Sequence, residues 1–247
     1  MRQTRIIMGM PITVEIVDVL PRDLFGQVFA YFEGVDARFS TYRSDSEICG
    51  FNRKEISEPN LSADMKTVFA LACKTQAETD GYFNMAQADG TVDPSGIVKG
   101  WAIHQAAQIL MRSGVENYCI DAGGDIQSSG KNEDGEFWRV GIRSPFHLSE
   151  VIKIVEPRGQ GIATSGSYIR GPHIYNPHMP QQKLSDVVSI TVIGPDVLEA
   201  DRFATAAFAM GADGVYFIEQ REGFEAYQVN ASGLATQTTG FGGYVIS

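Results

Sequence analysis

Hydrophobic residues recur along the chain at two spacings, and these separate the predicted strands from the predicted helices. A run rich in β-branched residues over 6–17 predicts a single strand. Apolar positions three and four apart over 24–35 predict a helix that opens at Pro21. A similar stripe over 62–81 predicts a second helix with Ser62 as its N-cap. The first third of the chain is therefore expected to be a strand followed by two amphipathic helices.

The rest of the chain mixes helices and strands without the regular alternation of a doubly wound fold. Two further helices are predicted over 96–113 and 197–210. Short strands separated by turns are predicted in the remaining segments, over 117–155, 161–164, 187–193, 226–230, 234–237 and 243–246. This order favours an α+β fold over a doubly wound parallel sheet. Because no repeat, low-complexity tract or linker interrupts the chain, residues 1–247 are predicted to form one domain.

Composition argues against several classes of function. The net charge of −10 makes broad nucleic-acid binding unexpected, since phosphate backbones are held by basic surfaces. No apolar stretch approaches the ~20 residues that span a bilayer, and residues 1–5 lead into a strand rather than into a secretory signal. We therefore expect a cytoplasmic protein without a membrane span. An acidic chain that binds a phosphorylated ligand needs local positive charge from a helix N-terminus, a lysine or a metal ion.

The last long predicted helix carries a candidate metal site. Beyond Arg202 this helix is apolar all round apart from Thr205, so it should be buried. Asp201 and Thr205 stand four positions apart and therefore share one face. Two hard oxygen ligands on one face suit Mg²⁺, which completes its shell with phosphate oxygens and water. The same spacing is compatible with a structural role, in which Asp201 stabilises the helix start and Thr205 bonds back to a carbonyl.

A second candidate lies in the segment Asp93-Pro-Ser-Gly96-Ile-Val-Lys99-Gly100. Gly96 opens a predicted helix, and Lys99 lies in its first turn. Exposed N–H groups, the helix dipole and an ammonium group together predict a pyrophosphate site. The segment matches neither a Walker loop nor a dinucleotide-binding fingerprint. A solvated surface lysine is the alternative interpretation.

Two further segments carry groups that suit phosphate chemistry. The glycine pair between Asp121 and Asp125 follows a predicted strand, and it either admits a ligand close to the backbone or forms a tight turn. Thr164 and Ser165 can offer hydroxyls and amides to a phosphate. His173 is a candidate general base because an unperturbed histidine pKa lies near neutrality. A lone histidine is often structural or exposed, and this alternative stays open.

Six short segments follow one another along the chain with characteristic gaps. They are 8–11 (Met-Gly-Met-Pro), 39–52 (from Phe-Ser-Thr-Tyr to Asn), 96–100 (Gly-Ile-Val-Lys-Gly), 121–125 (Asp-Ala-Gly-Gly-Asp), 163–177 (from Ala-Thr-Ser-Gly to His-Ile-Tyr-Asn-Pro) and 200–205 (Ala-Asp to Ala-Thr). In this order they resemble the ApbE family of FAD:protein FMN transferases over nearly the whole chain. Three positions depart from the family pattern: Ser95 stands where the family has a glycine, and Asn176 and Ser167 stand where it has aspartates. The stretch after 81–85 is also shorter than in the family.

The resemblance implies an α+β fold of two lobes with FAD bound in the cleft between them. It implies that Mg²⁺ is held by the side chains of Asp201 and Thr205. It also implies that the backbone oxygens of Ala204 and Ala163 complete the set of protein ligands to the ion. The lysine of the Gly-Ile-x-Lys-Gly segment, here Lys99, is implied to contact FAD.

The resemblance also assigns the reaction and the remaining site residues. It implies that a threonine or serine hydroxyl of an acceptor protein attacks the FMN-side phosphorus of FAD and that AMP leaves. The predicted catalytic residues are His173 and Asp201. The predicted FAD-binding residues are Met10, Tyr42, Asp93, Lys99, Asp121, Thr164 and Ser165. Two alternatives remain open: a Mg²⁺-dependent FAD pyrophosphatase, with water as the nucleophile, and a non-catalytic FAD-binding protein.

Overall fold

The α+β prediction is confirmed by the order of the elements. A computed structural model describes residues 1–19, 23–87, 89–147, 149–167, 174–179, 181, 184 and 186–246. The strands in this part of the chain are β1 Arg2–Ile7, β2 Met10–Ile16, β3 Tyr118–Ala122, β4 Asp125–Ser129, β5 Val140–Arg143, β6 Val151–Val155, β7 Gly161–Gly166, β8 Val187–Gly194, β9 Glu225–Asn230 and β10 Ala235–Gln237. The helices are α1 Leu24–Phe39, α2 Glu47–Asn52, α3 Ala63–Glu78, α4 Ser95–Arg112, α5 Val197–Ala209 and α6 Gly214–Glu219.

Eight of these strands form one antiparallel sheet. Its order is β1-β2-β3-β4-β7-β8-β9-β10, so that β4 and β7 are neighbours although β5 and β6 separate them in the chain. Strands β5 and β6 pair with each other as a separate hairpin. Because the sheet draws strands from both ends of the described chain, we propose that 1–247 is a single domain.

The two faces of the sheet are covered by different elements. Side chains of a strand point alternately to the two faces. In β7, Ala163 packs in a cluster with α5, whereas Ile162 packs in a cluster with the β5–β6 hairpin. Helices α1 and α4 form a further core with β2 and β3. Helix α4, which belongs to this core, also packs against α5, which belongs to the cluster around Ala163.

Several predicted boundaries are wrong. The strand predicted over 6–17 is two strands, because Met8 and Gly9 adopt φ values of 55° and 72° and turn the chain back on itself. A short helix, α2, occupies part of the predicted loop after α1. The strand predicted over 243–246 is replaced by a 3₁₀ turn at Phe241–Tyr244 and a bridge. Helix α1 begins after Asp23, whose carboxylate caps it, and Pro21 lies outside the described residues.

None of the helices seen in the described part of the chain combines the length and the apolar character needed to cross a membrane.

Helix α5 is tied to α3 through a buried arginine. Arg202 is 2% exposed, and its guanidinium donates to both carboxylate oxygens of Glu199, at 2.9 and 2.6 Å. It also donates to the Glu78 carboxylate and to the Thr75 hydroxyl, both in α3. Since a buried cation is costly unless it is paired and hydrogen-bonded, this network links α5 to α3.

Arg202→Met is expected to lower the free energy of unfolding by about 3 kcal/mol. This is the lower end for a broken buried ion pair, because Glu78 and Glu199 still reach water. Denaturant unfolding followed by circular dichroism measures the loss. The matched control is Arg139→Met, whose side chain is 52% exposed and whose ion pairs should contribute about 1 kcal/mol or less. Equal losses in the two variants would contradict the role given to Arg202.

Candidate active site

Helices α4 and α5 come into unusually close contact at Gly100. A Cβ atom added there would lie 2.6 Å from the Asp201 Cβ and 2.9 Å from the Val197 carbonyl oxygen, so only glycine fits. The Gly100 N–H donates to Asp201 Oδ2 at 2.7 Å. One turn away, the Thr205 hydroxyl donates to the Gly96 carbonyl at 3.3 Å. The Asp201–Thr205 face of α5 is therefore seated on the Gly96–Gly100 turn of α4.

Asp201 is a buried carboxyl group next to two other charged side chains. Only 4% of the residue is exposed. Burial raises the pKa of the Asp201 carboxyl to about 7; the Lys99 ammonium opposes that rise, and the adjacent Asp125 carboxyl adds to it. A carboxylate in such a place is stabilised by a nearby cation. Buried acids with neighbouring charges of this kind are concentrated at functional sites.

Lys99 lies inside this group rather than on the surface. Its Nζ is 2.6 Å from Asp125 Oδ2 and 3.9 Å from Asp201 Oδ1, and 17% of its side chain is exposed. Asp125 Oδ1 accepts the Thr164 N–H of β7 at 3.0 Å. The interpretation of Lys99 as a solvated surface residue is wrong. Residues from α4, α5, β4 and β7 converge here.

A cavity of about 130 Å³ opens beside these charged groups. Six of the residues predicted from the sequence line it: Asp93, Lys99, Thr164, Ser165, Asp201 and Thr205. Residues that the sequence reasoning did not assign also line it, among them Tyr82, Phe83, Asn84, Ile174 and Tyr175. Tyr82, Phe83 and Asn84 lie in the run 81–85 just after α3, which carried no separate sequence signal. Ile174 and Tyr175 belong to the segment 163–177 that contributes to the family resemblance. A cavity that combines apolar or aromatic walls with a few convergent charged groups is the usual form of a ligand site.

Three residues predicted to bind FAD do not line this cavity. Met10 is 8% exposed and packs beneath the β3–β4 turn, where its Sδ is 3.0 Å from the position of a Cβ on Gly123. Asp121 accepts the Gly124 N–H at 2.8 Å and so stabilises that same turn. Tyr42 is 98% exposed in the loop after α1. Contacts of these three side chains with FAD stay predictions.

The two alanines predicted as metal ligands lie in the packed layer behind the cavity. Ala163 in β7 and Ala204 in α5 are both fully buried, at 0% exposure. They belong to the same apolar cluster, and α5 packs directly on β7. Their methyl groups therefore contribute to the core. The assignment of their carbonyl oxygens to a metal stays a prediction.

The predicted base, His173, lies outside the described residues. The segment that follows it reaches the cavity, because Ile174, Tyr175 and Pro177 are among its lining residues. Tyr175 donates its hydroxyl to the Ala86 carbonyl at 3.2 Å. Asn176, which stands at a family aspartate position, is 8% exposed and accepts the His178 N–H at 2.9 Å. Asparagine thus forms the turn that holds this segment.

A second cavity of about 350 Å³ adjoins the first and shares Gln87 and Asp93 with it. The 39–52 segment contributes to its wall through Thr41, Cys49 and Asn52. The Asn52 side chain donates to the Val92 carbonyl at 3.0 Å and accepts the Val92 N–H at 2.9 Å. This pair of hydrogen bonds attaches Val92, in the segment 89–93 that borders both cavities, to the end of α2. The segment 39–52, which contains Tyr42, therefore lies next to the candidate site.

The donor set fits a magnesium ion that shares its shell with a ligand. No cluster of three or more His, Cys, Asp or Glu side chains suited to a metal occurs among the described residues. Mg²⁺ seldom uses such a cage; it is usually bound by one or two carboxylates plus substrate phosphates and water. Asp201 and Thr205 supply one carboxylate and one hydroxyl beside the cavity. The site therefore has the hard oxygen donors that this ion prefers.

Comparison with known proteins gives the same family for most of the chain. The protein-family model described as "ApbE family" matches residues 8–89 and 85–228. The FAD:protein FMN transferase of Vibrio cholerae is 30% identical over 238 residues, which cover 73% of this chain and 71% of that protein. The Escherichia coli K12 protein of the same name is 31% identical over 166 residues, covering 64% of this chain and 47% of its own length.

Solved structures show the same fold. The flavin transferase ApbE from Vibrio cholerae superposes with a TM-score of 0.87 at 24% identity, covering 99% of this chain and 98% of that one. The ApbE protein from Thermotoga maritima superposes with a TM-score of 0.85 at 20% identity, covering 100% and 99% of the two chains. Because the two matches of the family model overlap and together cover residues 8–228, the chain belongs to the ApbE family.

Proposed function

We propose that this protein transfers the FMN half of FAD to a threonine or serine hydroxyl of an acceptor protein and releases AMP. The names of its relatives support this activity. The observation that carries the proposal is the wall of the cavity where Lys99, Asp201 and Thr205 meet. In a chain of net charge −10, this wall combines an ammonium group with donors for a divalent cation. Such a combination is what binding of a diphosphate requires.

Four residues are proposed to hold Mg²⁺ at this wall. They are the side chains of Asp201 and Thr205 and the carbonyl oxygens of Ala163 and Ala204. The ion supplies charge neutralisation for the diphosphate, which is the main requirement of phosphoryl transfer. Location in the cytoplasm stays a prediction.

The chain's own groups position the diphosphate and move the proton. Lys99 and Ser165 line the cavity, and their ammonium and hydroxyl groups are proposed to contact the diphosphate. Thr164 lines it as well, with its hydroxyl hydrogen-bonded to the Thr191 hydroxyl of β8 at 2.8 Å. His173 is proposed to accept the proton of the acceptor hydroxyl. The hydroxyl oxygen forms a bond to the FMN-side phosphorus as the bond from that phosphorus to the bridging oxygen breaks. AMP leaves with the bridging oxygen, and the flavin remains attached through a phosphoester.

The direct test is intact-mass spectrometry of an acceptor domain incubated with this protein, FAD and Mg²⁺. We expect the acceptor to gain one FMN and AMP to appear in equal amount. Acceptor variants with alanine in place of the modified threonine or serine serve as the control and should gain nothing. Removing divalent cations with EDTA should stop the reaction, because the diphosphate then loses its main counter-charge.

The two alternatives give different products in the same experiment. Free FMN and AMP in the absence of an acceptor would indicate an FAD pyrophosphatase. Intact FAD that copurifies with a yellow protein, with no AMP formed, would indicate a binding protein. Either outcome without labelled acceptor would contradict the proposed transfer.

A further inference from the structure

Asp125 is a buried carboxylate to which the proposed reaction assigns no role. It begins β4, and only 1% of its side chain is exposed. One of its oxygens accepts the Thr164 N–H. The other lies 2.6 Å from Lys99 Nζ. Asp125 thus connects β4 to β7 and to the first turns of α4.

Two carboxylates lie near the Lys99 ammonium at different distances. Lys99 Nζ is 2.6 Å from Asp125 but 3.9 Å from Asp201 Oδ1. The shorter contact has hydrogen-bond length, whereas the longer one is a weaker, purely Coulombic attraction. Because buried charges attract strongly, without Asp125 the ammonium would be drawn to Asp201. A lysine bound there would compete with a metal ion for the same oxygen.

We infer that Asp125 is a positioning residue that holds the Lys99 ammonium away from Asp201 and so keeps Asp201 available to a divalent cation. This inference rests on the proposed function, in which Asp201 binds that cation. The two neighbouring carboxylates then have different partners. Asp125 pairs with the protein's own cation, and Asp201 pairs with the metal. Direct contact between Asp125 and the metal is the competing explanation.

Mn²⁺ binding to the whole protein, followed by electron paramagnetic resonance in the absence of FAD, distinguishes the two explanations. Asp125→Asn keeps an acceptor for the Thr164 N–H but removes the charge that holds Lys99. It should weaken Mn²⁺ binding by about tenfold or more, because the ammonium then shifts toward Asp201. Adding Lys99→Met to this variant should restore the affinity to within about threefold of the wild type.

A matched double variant tests whether the rescue is only a matter of net charge. Lys131 is exposed and follows the far end of β4. Asp125→Asn with Lys131→Met has the same net charge as Asp125→Asn with Lys99→Met, but it leaves Lys99 in place. We expect no rescue from it. Rescue by both lysine substitutions would overturn the inference.

Weak Mn²⁺ binding in Asp125→Asn/Lys99→Met would also overturn the inference, since it would make Asp125 a direct ligand. This variant removes both partners of a buried ion pair and should fold even if Asp125→Asn alone does not. Thermal melting checks the fold of each protein. A wild-type protein that binds no Mn²⁺ would overturn both the metal site and this inference. Because FAD and acceptor are absent from the measurement, failure of FMN transfer alone leaves the Mn²⁺ result unaffected.

Discussion

Asp201→Asn is expected to slow FMN transfer by about a thousandfold or more, because it removes the charged ligand of the proposed metal site. Asparagine has nearly the same volume as aspartate. It also retains an oxygen that can accept the Gly100 N–H, a hydrogen bond that Asp201 Oδ2 accepts at 2.7 Å in the unsubstituted protein. The contact between α4 and α5 should therefore persist. A neutral amide oxygen, however, binds Mg²⁺ much less strongly than a carboxylate does. The loss should thus appear in catalysis and in metal affinity rather than in folding.

The measurement is the initial rate at which an acceptor domain gains FMN at saturating FAD, with Mn²⁺ affinity determined in parallel. The matched control is Asp213→Asn, which makes the same chemical change at an exposed position just after α5. It should leave both quantities unchanged. Thermal melting separates loss of the metal from loss of the fold. Full activity in Asp201→Asn would place the metal elsewhere.

The faces of the long helices could be predicted because helical periodicity is a local property of the sequence. Four-residue spacing put Asp201 and Thr205 on one face, and the structure has both of them lining the same cavity. The cap at Ser62 was also predictable, since its hydroxyl accepts the Met65 N–H three residues later. Features determined within one turn of helix were thus accessible from sequence alone.

Features that depend on packing between distant segments were not predictable. Glu78 and Arg202 are 124 positions apart, and only the tertiary fold, in which α3 and α5 both pack against α4, brings them together. Lys99 and Asp125 meet because β4 lies beside β7 and under α4. From a local window, Lys99 was more readily interpreted as a solvated lysine. The partner that determines its environment lies in another element.

Short elements were missed for a different reason. Helix α2 spans only Glu47–Asn52, which is less than two turns and therefore shows no clear periodicity. The break between β1 and β2 depends on Met8 adopting a positive φ of 55°, a conformation that methionine seldom takes. The β1–β2 register then holds the two strands together as a hairpin. Tertiary pairing here outweighs the local preference of the chain.

Gly100→Ala is expected to damage the site and the fold together, because the new methyl group has nowhere to go. It would lie 2.6 Å from the Asp201 Cβ and 2.9 Å from the Val197 carbonyl oxygen, so α5 must move away from α4. Overpacking of this kind costs about 3 kcal/mol of folding free energy. Displacing Asp201 by about 1 Å should also slow transfer by about a hundredfold.

Gly34→Ala is the matched control, since it makes the same change in the interior of another helix. Gly34 is exposed in α1, and an added Cβ would meet nothing within 4 Å. Alanine there should raise the free energy of unfolding by up to about 1 kcal/mol through its helix propensity and leave transfer unchanged. Denaturant unfolding and the acceptor-labelling rate measure both effects. If Gly100→Ala behaved like Gly34→Ala, the close approach of α4 and α5 could not be what holds Asp201 in place, because the methyl group would then have been accommodated without moving either helix.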